Sequence, residues 1–332
     1  MNKTQSLPSV ILSFAAYKQT IQNCSLQTVE EYLSDLRLFF GYIAKKRGVE
    51  QDETLSFVDE AFCDSVTTEE VYGFLMYLAS DRSNKPVTRA RKISAVRAFY
   101  KYHTAKSRLL KNNPVKDVET PILKQKLPKY LSIDESVELL SSLDSKSPTY
   151  ERDFAIITLF LNCGMRLSEL VGINLGDISD DLEELVVTGK GNKQRKIYLN
   201  QACRSALRSY LEVRQKPFAD GHTRIKDKDA VFLSRLGKRI SNKTVQWLVK
   251  KQLDAAGLGD KNYSTHKLRH TAATLMYQTG KVDVLMLKDI LGHEQLTTTQ
   301  IYTHVSDKSR KQAMEENPLA EIKIKKGSKD SD

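Results

Sequence analysis

One stretch of this chain can be neither helix nor sheet ladder, and it divides everything else. From Asn112 to Tyr130 (NNPVKDVETPILKQKLPKY) three prolines fall among polar and basic residues with no helical period. Each proline removes a backbone donor and pushes the residue before it away from the helical region. The spacing therefore predicts an extended connector, basic enough to lie on a polyanion. With 332 residues, two domains are expected, at roughly 100–200 residues each. The boundary falls at residues 122–127, leaving a first domain over 1–121 and a second over 128–332.

The first domain reads as helix throughout. Ser25 to Gly48 opens on a capping serine, carries acids early and Lys-Lys-Arg late, and stops at glycine, as caps and the helix dipole require. Leu26, Val29, Tyr32, Leu33, Leu36, Phe39, Phe40 and Ile43 form its apolar stripe. A second helix is predicted over Thr68–Ala79, where TTEE supplies a cap and an acidic first turn, and a third from Thr88 to Leu110. Between Asp81 and Lys111 there are ten Lys or Arg residues and one acid. Arg89, Lys92, Arg97, Lys101 and Arg108 recur at spacings of three, four and seven, so much of this charge can share a face opposite Ile93, Val96 and Tyr100. Such a face is either a solvated surface or a helix laid against phosphates.

The second domain is mixed. Helical patterns cover 131–143, 152–164, 242–257, 266–280, 283–293 and 307–317. Glu184–Val187 and Lys196–Leu199 are short strand candidates joined by the turn GKGNKQR, and AVFLS at 230–234 is a third. The order fits a mostly α fold enclosing a small antiparallel sheet better than alternating βα units. Lys plus Arg total 52 against 41 acids, a net charge of +11 that suits a polyanionic partner. Cys24, Cys63, Cys163 and Cys203 lie about forty residues or more apart, which excludes a CxxC clamp and suggests reduced core thiols. The opening residues lack the apolar stretch of a signal peptide, and no apolar run reaches a membrane span. A cytoplasmic location is the expectation.

Several chemical motifs fail. TGKGN at 188–192 lacks the Walker and dinucleotide patterns, and His293-Glu294 is followed by Thr297 where a zinc protease needs histidine. Four stretches remain: CGMRLSEL at 163–170, TGKGNKQRK at 188–196, HKLRHT at 266–271, and LGH at 291–293 followed by Tyr302 in YTHV. Each alone is weak; together and in this order they resemble the tyrosine recombinase/integrase family, and most closely its Xer-type bacterial members. The matching positions are Arg166, Lys190, His266, Arg269, His293 and Tyr302. The likeness is strong over 152–305 and looser in the helical first domain.

The resemblance implies a SAM-like core-binding domain and a catalytic domain that close on DNA as a C-shaped clamp. It implies Tyr302 as nucleophile, Arg166 and Arg269 as phosphate ligands, Lys190 as general acid, His266 as the base that accepts the tyrosine proton or else orients the phosphate, and His293 as a further hydrogen-bond donor to the phosphate. Glu169 would support the site from behind, and Lys193 and Arg195 would touch the DNA backbone; His270 and His304 read as packing or capping residues. The helix around Thr244–Gly257, with Lys243 at its start, joins the basic helix as a candidate for groove contacts. The product would be a 3′-phosphotyrosyl end and a 5′-hydroxyl, leading to a Holliday junction. Because one ester is exchanged for another, the resemblance implies neither ATP nor a metal cofactor. Partners implied are duplex DNA with an inverted-repeat site, a tetramer over two sites (all one chain or shared with a paralogue), and a DNA translocase or accessory factor. Three rival readings are an integrase of a phage, transposon or conjugative element, a type IB topoisomerase-like enzyme, and a catalytically idle DNA-binding protein.

Overall fold

The computed structural model describes residues 7–50, 52, 54–120, 129–215 and 224–292, apart from the side chain of Lys190. Two compact units divide the chain, Met1–Gln125 and Lys126–Asp332.

The first unit is built of helices α1 (Ser9–Thr20), α2 (Leu26–Arg47), α3 (Glu60–Ser65), α4 (Thr68–Ser80) and α5 (Pro86–Ala105). Helix α2 starts where the Ser25 hydroxyl accepts the Thr28 N–H and ends where Gly48 turns left-handed at φ 70°. Helix α4 starts in a capping box between Thr67 and Glu70. Glu70 also receives the Arg47 guanidinium through two bonds of 2.7 and 2.6 Å, tying the end of α2 to the start of α4. Phe14, Phe39, Phe40, Phe74 and Phe99 meet edge-on at centroid distances of 5.1–5.5 Å, each such pair adding about 0.5–1.5 kcal/mol beyond area burial. The stripe read from α2 is buried apart from Tyr32, which is half-buried, and Leu26, which is 65% exposed.

Two expectations are corrected here. Helix α5 stops at Ala105 rather than Leu110, and Arg108 adopts φ 54° beyond it. The connector is not extended over 112–120. It turns back onto its own unit and buries Val115 and Val118 in the core, while the Asn112 amide N–H donates to Asp64 at 3.0 Å.

The second unit surrounds α7 (Tyr150–Cys163), a helix buried on nearly every side. Around it stand α6 (Ile133–Ser141), α8 (Leu167–Gly172), α9 (Gln201–Arg214), α10 (Asn242–Ala255), α11 (Thr265–Gln278) and α12 (Val284–Leu291). Strands β1 (Glu184–Thr188) and β2 (Gln194–Tyr198) pair antiparallel, with Val187 opposite Arg195 and Thr188 opposite Gln194. Their turn is a short 3₁₀ segment, Lys190–Asn192, in which Gly191 takes φ 72°. Helix α9, which sequence reading passed over, is capped by Asn200 and buries Cys203, Ala206, Leu207, Tyr210 and Arg214 at helical spacing. AVFLS is buried from Ala230 to Leu233 but makes only isolated bridges, at Ala230 and Leu233. Side chains occupy its carbonyls instead of a ladder: Arg214 takes Ala230, Tyr210 takes Val231 and Arg152 takes Leu233. All four cysteines are free, and the Cys163 and Cys203 sulfurs lie 3.6 Å apart. Among the described residues no helix is long and apolar enough to cross a membrane. The helix expected at 307–317 lies outside the described residues.

His103 gives the first unit a pH dependence. Its Nε2 lies 2.8 Å from the Val10 carbonyl, which can only accept, so Nε2 carries a proton. Burial pushes its pKa down from 6.5 to about 4, with the Val10 bond opposing. A lowered folded-state pKa means that this stability is complete above pH 6.5 and is lost as pH falls toward 4, by about 3 kcal/mol. Urea unfolding of the wild type should show this loss, and His103→Gln should remove it; equal slopes in the two proteins would contradict the assignment.

Candidate active site

The site begins where α7 must stop. Gly164 ends that helix at φ 58°, and a methyl group there would lie 2.9 Å from Leu291 Cδ2. Glycine thus meets both a left-handed turn and the close approach of α12. Two residues on, Arg166 is the N-cap of α8 with extended backbone. A guanidinium has no acceptor, so the cap is made in one direction only: Glu169 reaches back to the Arg166 N–H at 2.6 Å.

Glu169 then collects three arginines from three elements. Arg166 Nη1 donates to Oε1 at 2.8 Å. Arg195, from β2, donates through Nη1 and Nη2 at 2.6 and 2.9 Å. Arg269, from α11, stands 3.8 Å away. The Glu169 side chain is fully buried. Burial alone would raise its carboxyl above the usual 4.5, but the Arg195 hydrogen bonds, the Arg166 N–H and the Arg195 charge outweigh it and hold the pKa at about 2. The same arginines cap three consecutive carbonyls where α12 ends. Arg195 Nε takes Ile290 at 3.0 Å, Arg269 Nη2 takes Leu291 at 2.8 Å, and Arg166 Nη2 takes Gly292 at 2.9 Å. Arg269 also takes the Gly164 carbonyl at 2.8 Å. Side-chain exposure separates their roles: 3% for Arg269, 13% for Arg195 and 35% for Arg166.

The remaining residues read from the sequence divide into three groups. The first joins the cluster. The β1–β2 turn comes against it at Gly189, where an added methyl would sit 3.3 Å from Glu169 Oε1; this brings the Lys190 backbone beside the arginines. His266 shares α11 with Arg269, and its ring keeps an exposed side while its edge stacks on His270 at 4.7 Å. Partial burial, then the charges of Arg269, Lys267 and Arg166, push the His266 pKa down from 6.5. The second group is diverted to structural bonds. Arg195 was expected on DNA but is spent on Glu169 and Ile290. Lys92 is held by the buried Asp35 at 2.8 Å, Arg97 by the Val118 carbonyl at 2.8 Å, and Arg89 by the Asn84 carbonyl at 3.0 Å. The third group stands at the surface: Lys101, Arg108, Lys193 and Lys243 are exposed. His293, Tyr302 and His304 lie outside the described residues.

Residues 129–309 match the Phage integrase family, and residues 11–107 match its N-terminal SAM-like domain. The chain is 48% identical over 320 residues to a tyrosine recombinase XerC of Caldanaerobacter subterraneus subsp. tengcongensis, covering 95% of this chain and 88% of that one. It is 33% identical to a tyrosine recombinase XerC of Natranaerobius thermophilus, covering 89% and 94%. In fold it resembles the XerH site-specific recombinase bound to palindromic difH substrate, with a TM-score of 0.69 at 21% identity over 95% of this chain and 92% of that one. It also resembles a lambda integrase dimer bound to a COC′ core site, with a TM-score of 0.61 at 19% identity over 90% and 96%. With half of the chain matched by one domain family and most of it by close relatives, the protein belongs to the tyrosine recombinase/integrase family. Within that family it is closely related to the Xer-type recombinases. Its class of chemistry is DNA cleavage and rejoining through a phosphotyrosyl intermediate.

Removing the Glu169 charge tests the centre directly. Glu169→Gln keeps the shape but leaves the guanidiniums without their anion, and should cost about 3–5 kcal/mol in urea unfolding at pH 7. Because the Glu169 pKa is lowered, its contribution is complete above pH 4.5 and is lost toward pH 2, so the two proteins should converge in acid. A variant as stable as the wild type at pH 7 would contradict this account.

Proposed function

We propose that this protein is an Xer-type site-specific recombinase with Tyr302 as its nucleophile. The observation that carries the reading is the Glu169 cluster. It gathers the guanidiniums of Arg166 and Arg269 about one carboxylate, leaves Arg166 partly open, and stands beside the turn that bears Lys190, which supports reading the two arginines as phosphate ligands. Tyr302 Oη attacks the phosphorus of a DNA phosphodiester, forming a 3′-phosphotyrosyl bond as the bond to the 5′-oxygen breaks. The tyrosine proton passes to His266, whose lowered pKa keeps it unprotonated near pH 7 and able to accept. Lys190 protonates the departing 5′-oxygen, and His293 hydrogen-bonds the phosphate. Arg166 and Arg269 stabilise the charge that grows on the non-bridging oxygens; loss of one such donor costs about 3–4 kcal/mol of barrier.

The 5′-hydroxyl of a partner duplex then displaces the tyrosine and forms a Holliday junction. This requires two sites and four protomers, so a tetramer on inverted-repeat DNA follows, made of one chain or shared with a paralogue. The 48% identical relative named tyrosine recombinase XerC favours a chromosomal role, such as dimer resolution under translocase control, over integration of a mobile element.

The test is covalent trapping on fragmented genomic DNA, with wild type and Tyr302→Phe compared and the linked ends sequenced. The expected result is adducts at one inverted-repeat locus with the wild type and none with the variant. Adducts that persist in Tyr302→Phe would refute the nucleophile assignment. Scattered tyrosine-dependent adducts would point to a topoisomerase instead.

A further inference from the structure

Arg195 departs most from what a basic turn suggests. It leaves β2 on the same face as Ile197, which is 5% exposed, and pairs across the sheet with Val187, which is 2% exposed. Its guanidinium therefore enters the protein rather than the solvent. There it makes three bonds of 2.6–3.0 Å, two to Glu169 and one to the Ile290 carbonyl. Gly292 lies so close that an added methyl would meet Arg195 Cδ and Nη1 at 3.0 Å. No other side chain bonds both Glu169 and the Ile290 carbonyl among the described residues.

We propose that Arg195 is a positioning residue that sets the register between Glu169 and the three carbonyls ending α12, and thereby aims Arg166 and Arg269 at the phosphate. The proposal rests on the reading of Arg166 and Arg269 as phosphate ligands given above. The chain of bonds is short. Arg195 fixes both carboxylate oxygens of Glu169, and Glu169 fixes Arg166 through its backbone N–H and its Nη1. Arg195 also fixes Ile290, so Leu291 and Gly292 present their carbonyls to Arg269 and Arg166 in turn. Lysine cannot replace it, because one ammonium cannot hold two carboxylate oxygens in a planar fork and a carbonyl on a third side. By the same bonds Arg195 joins the strand behind the Lys190 turn to the end of α12, so one side chain ties together three elements, β2, α8 and α12.

The experiment compares the full-length wild type, Arg195→Gln and the charge-conserving Arg195→Lys. Hydrogen exchange of the free proteins is read first, since it needs no turnover. The peptide spanning 284–292 should exchange about tenfold faster in Arg195→Lys, while peptides of α1–α5 stay unchanged. Unchanged exchange at 284–292 overturns the proposal. Single-turnover adduct formation is read next, on a duplex carrying the locus recovered by trapping. At saturating DNA the rate should fall about a hundredfold in Arg195→Gln, the scale of an ångström-sized misplacement. It should fall at least about tenfold in Arg195→Lys, with DNA affinity within about threefold of the wild type in both. Wild-type rate in Arg195→Lys would reduce the residue to charge balance, and weakened affinity with an unchanged saturated rate would make it a DNA contact; either overturns the proposal. Should Arg195→Gln unfold, the lysine variant decides. Should the wild type itself form no adduct, the recombinase reading fails, and the exchange result still judges whether Arg195 sets the end of α12.

Discussion

A carboxylate withdrawn completely from water must be repaid in cations and hydrogen-bond donors, and the catalytic unit is arranged around that demand. Glu169 is fully buried in side chain, so a single arginine at its edge would leave a lone pair unmet and a charge poorly balanced. Arg195 supplies two donors, Arg166 one from its side chain and one from its backbone, and Arg269 a third cation behind them. These groups come from β2, the α7–α8 corner and α11, elements far apart in sequence. Satisfying one anion therefore fixes how those elements meet.

The end of α12 imposes the complementary demand. A helix leaves its last carbonyls without intrahelical partners, and they carry the negative end of its dipole. Here Ile290, Leu291 and Gly292 find theirs in Arg195, Arg269 and Arg166 in that order. Each arginine thus serves an anion on one side and a carbonyl on the other, and the planar fork of a guanidinium is what permits both. The glycines follow from the same closeness. Gly164 admits Leu291, Gly189 admits the Glu169 carboxylate, and Gly292 admits Arg195.

What could be read from the sequence was what local rules control. Ser25 and Gly48 mark the ends of α2, Thr67 the start of α4, and the words around Arg166, Lys190 and His266-x-x-Arg269 identify the family before any contact is known. What could not be read depended on distant partners. Lys92 looks like any exposed cation until Asp35, on another helix, is found buried beneath it. Arg97 looks like a phosphate ligand until the connector folds back and offers it the Val118 carbonyl. The 230–234 stretch has strand composition, yet Arg214, Tyr210 and Arg152 reach its carbonyls before a neighbouring strand can. Arg195 is the instructive case, because its signal was present. It has the parity of Ile197 and Leu199, both buried, and strand alternation places all three on one face. The basic composition of the turn hid that parity.

The charge balance also bears on what the site can hold. Three guanidiniums around one carboxylate leave two positive charges in excess among the described residues, and the three carbonyls occupy donors without cancelling any charge. Two of the cations face inward and only Arg166 opens appreciably to solvent, at 35%. A neutral ligand at Arg166 would gain a hydrogen bond and little else. An anion would feel all three cations through a medium of low dielectric, where their attraction is far stronger than in water. The arrangement therefore selects for negative charge at one accessible point, as cleavage of a phosphodiester requires.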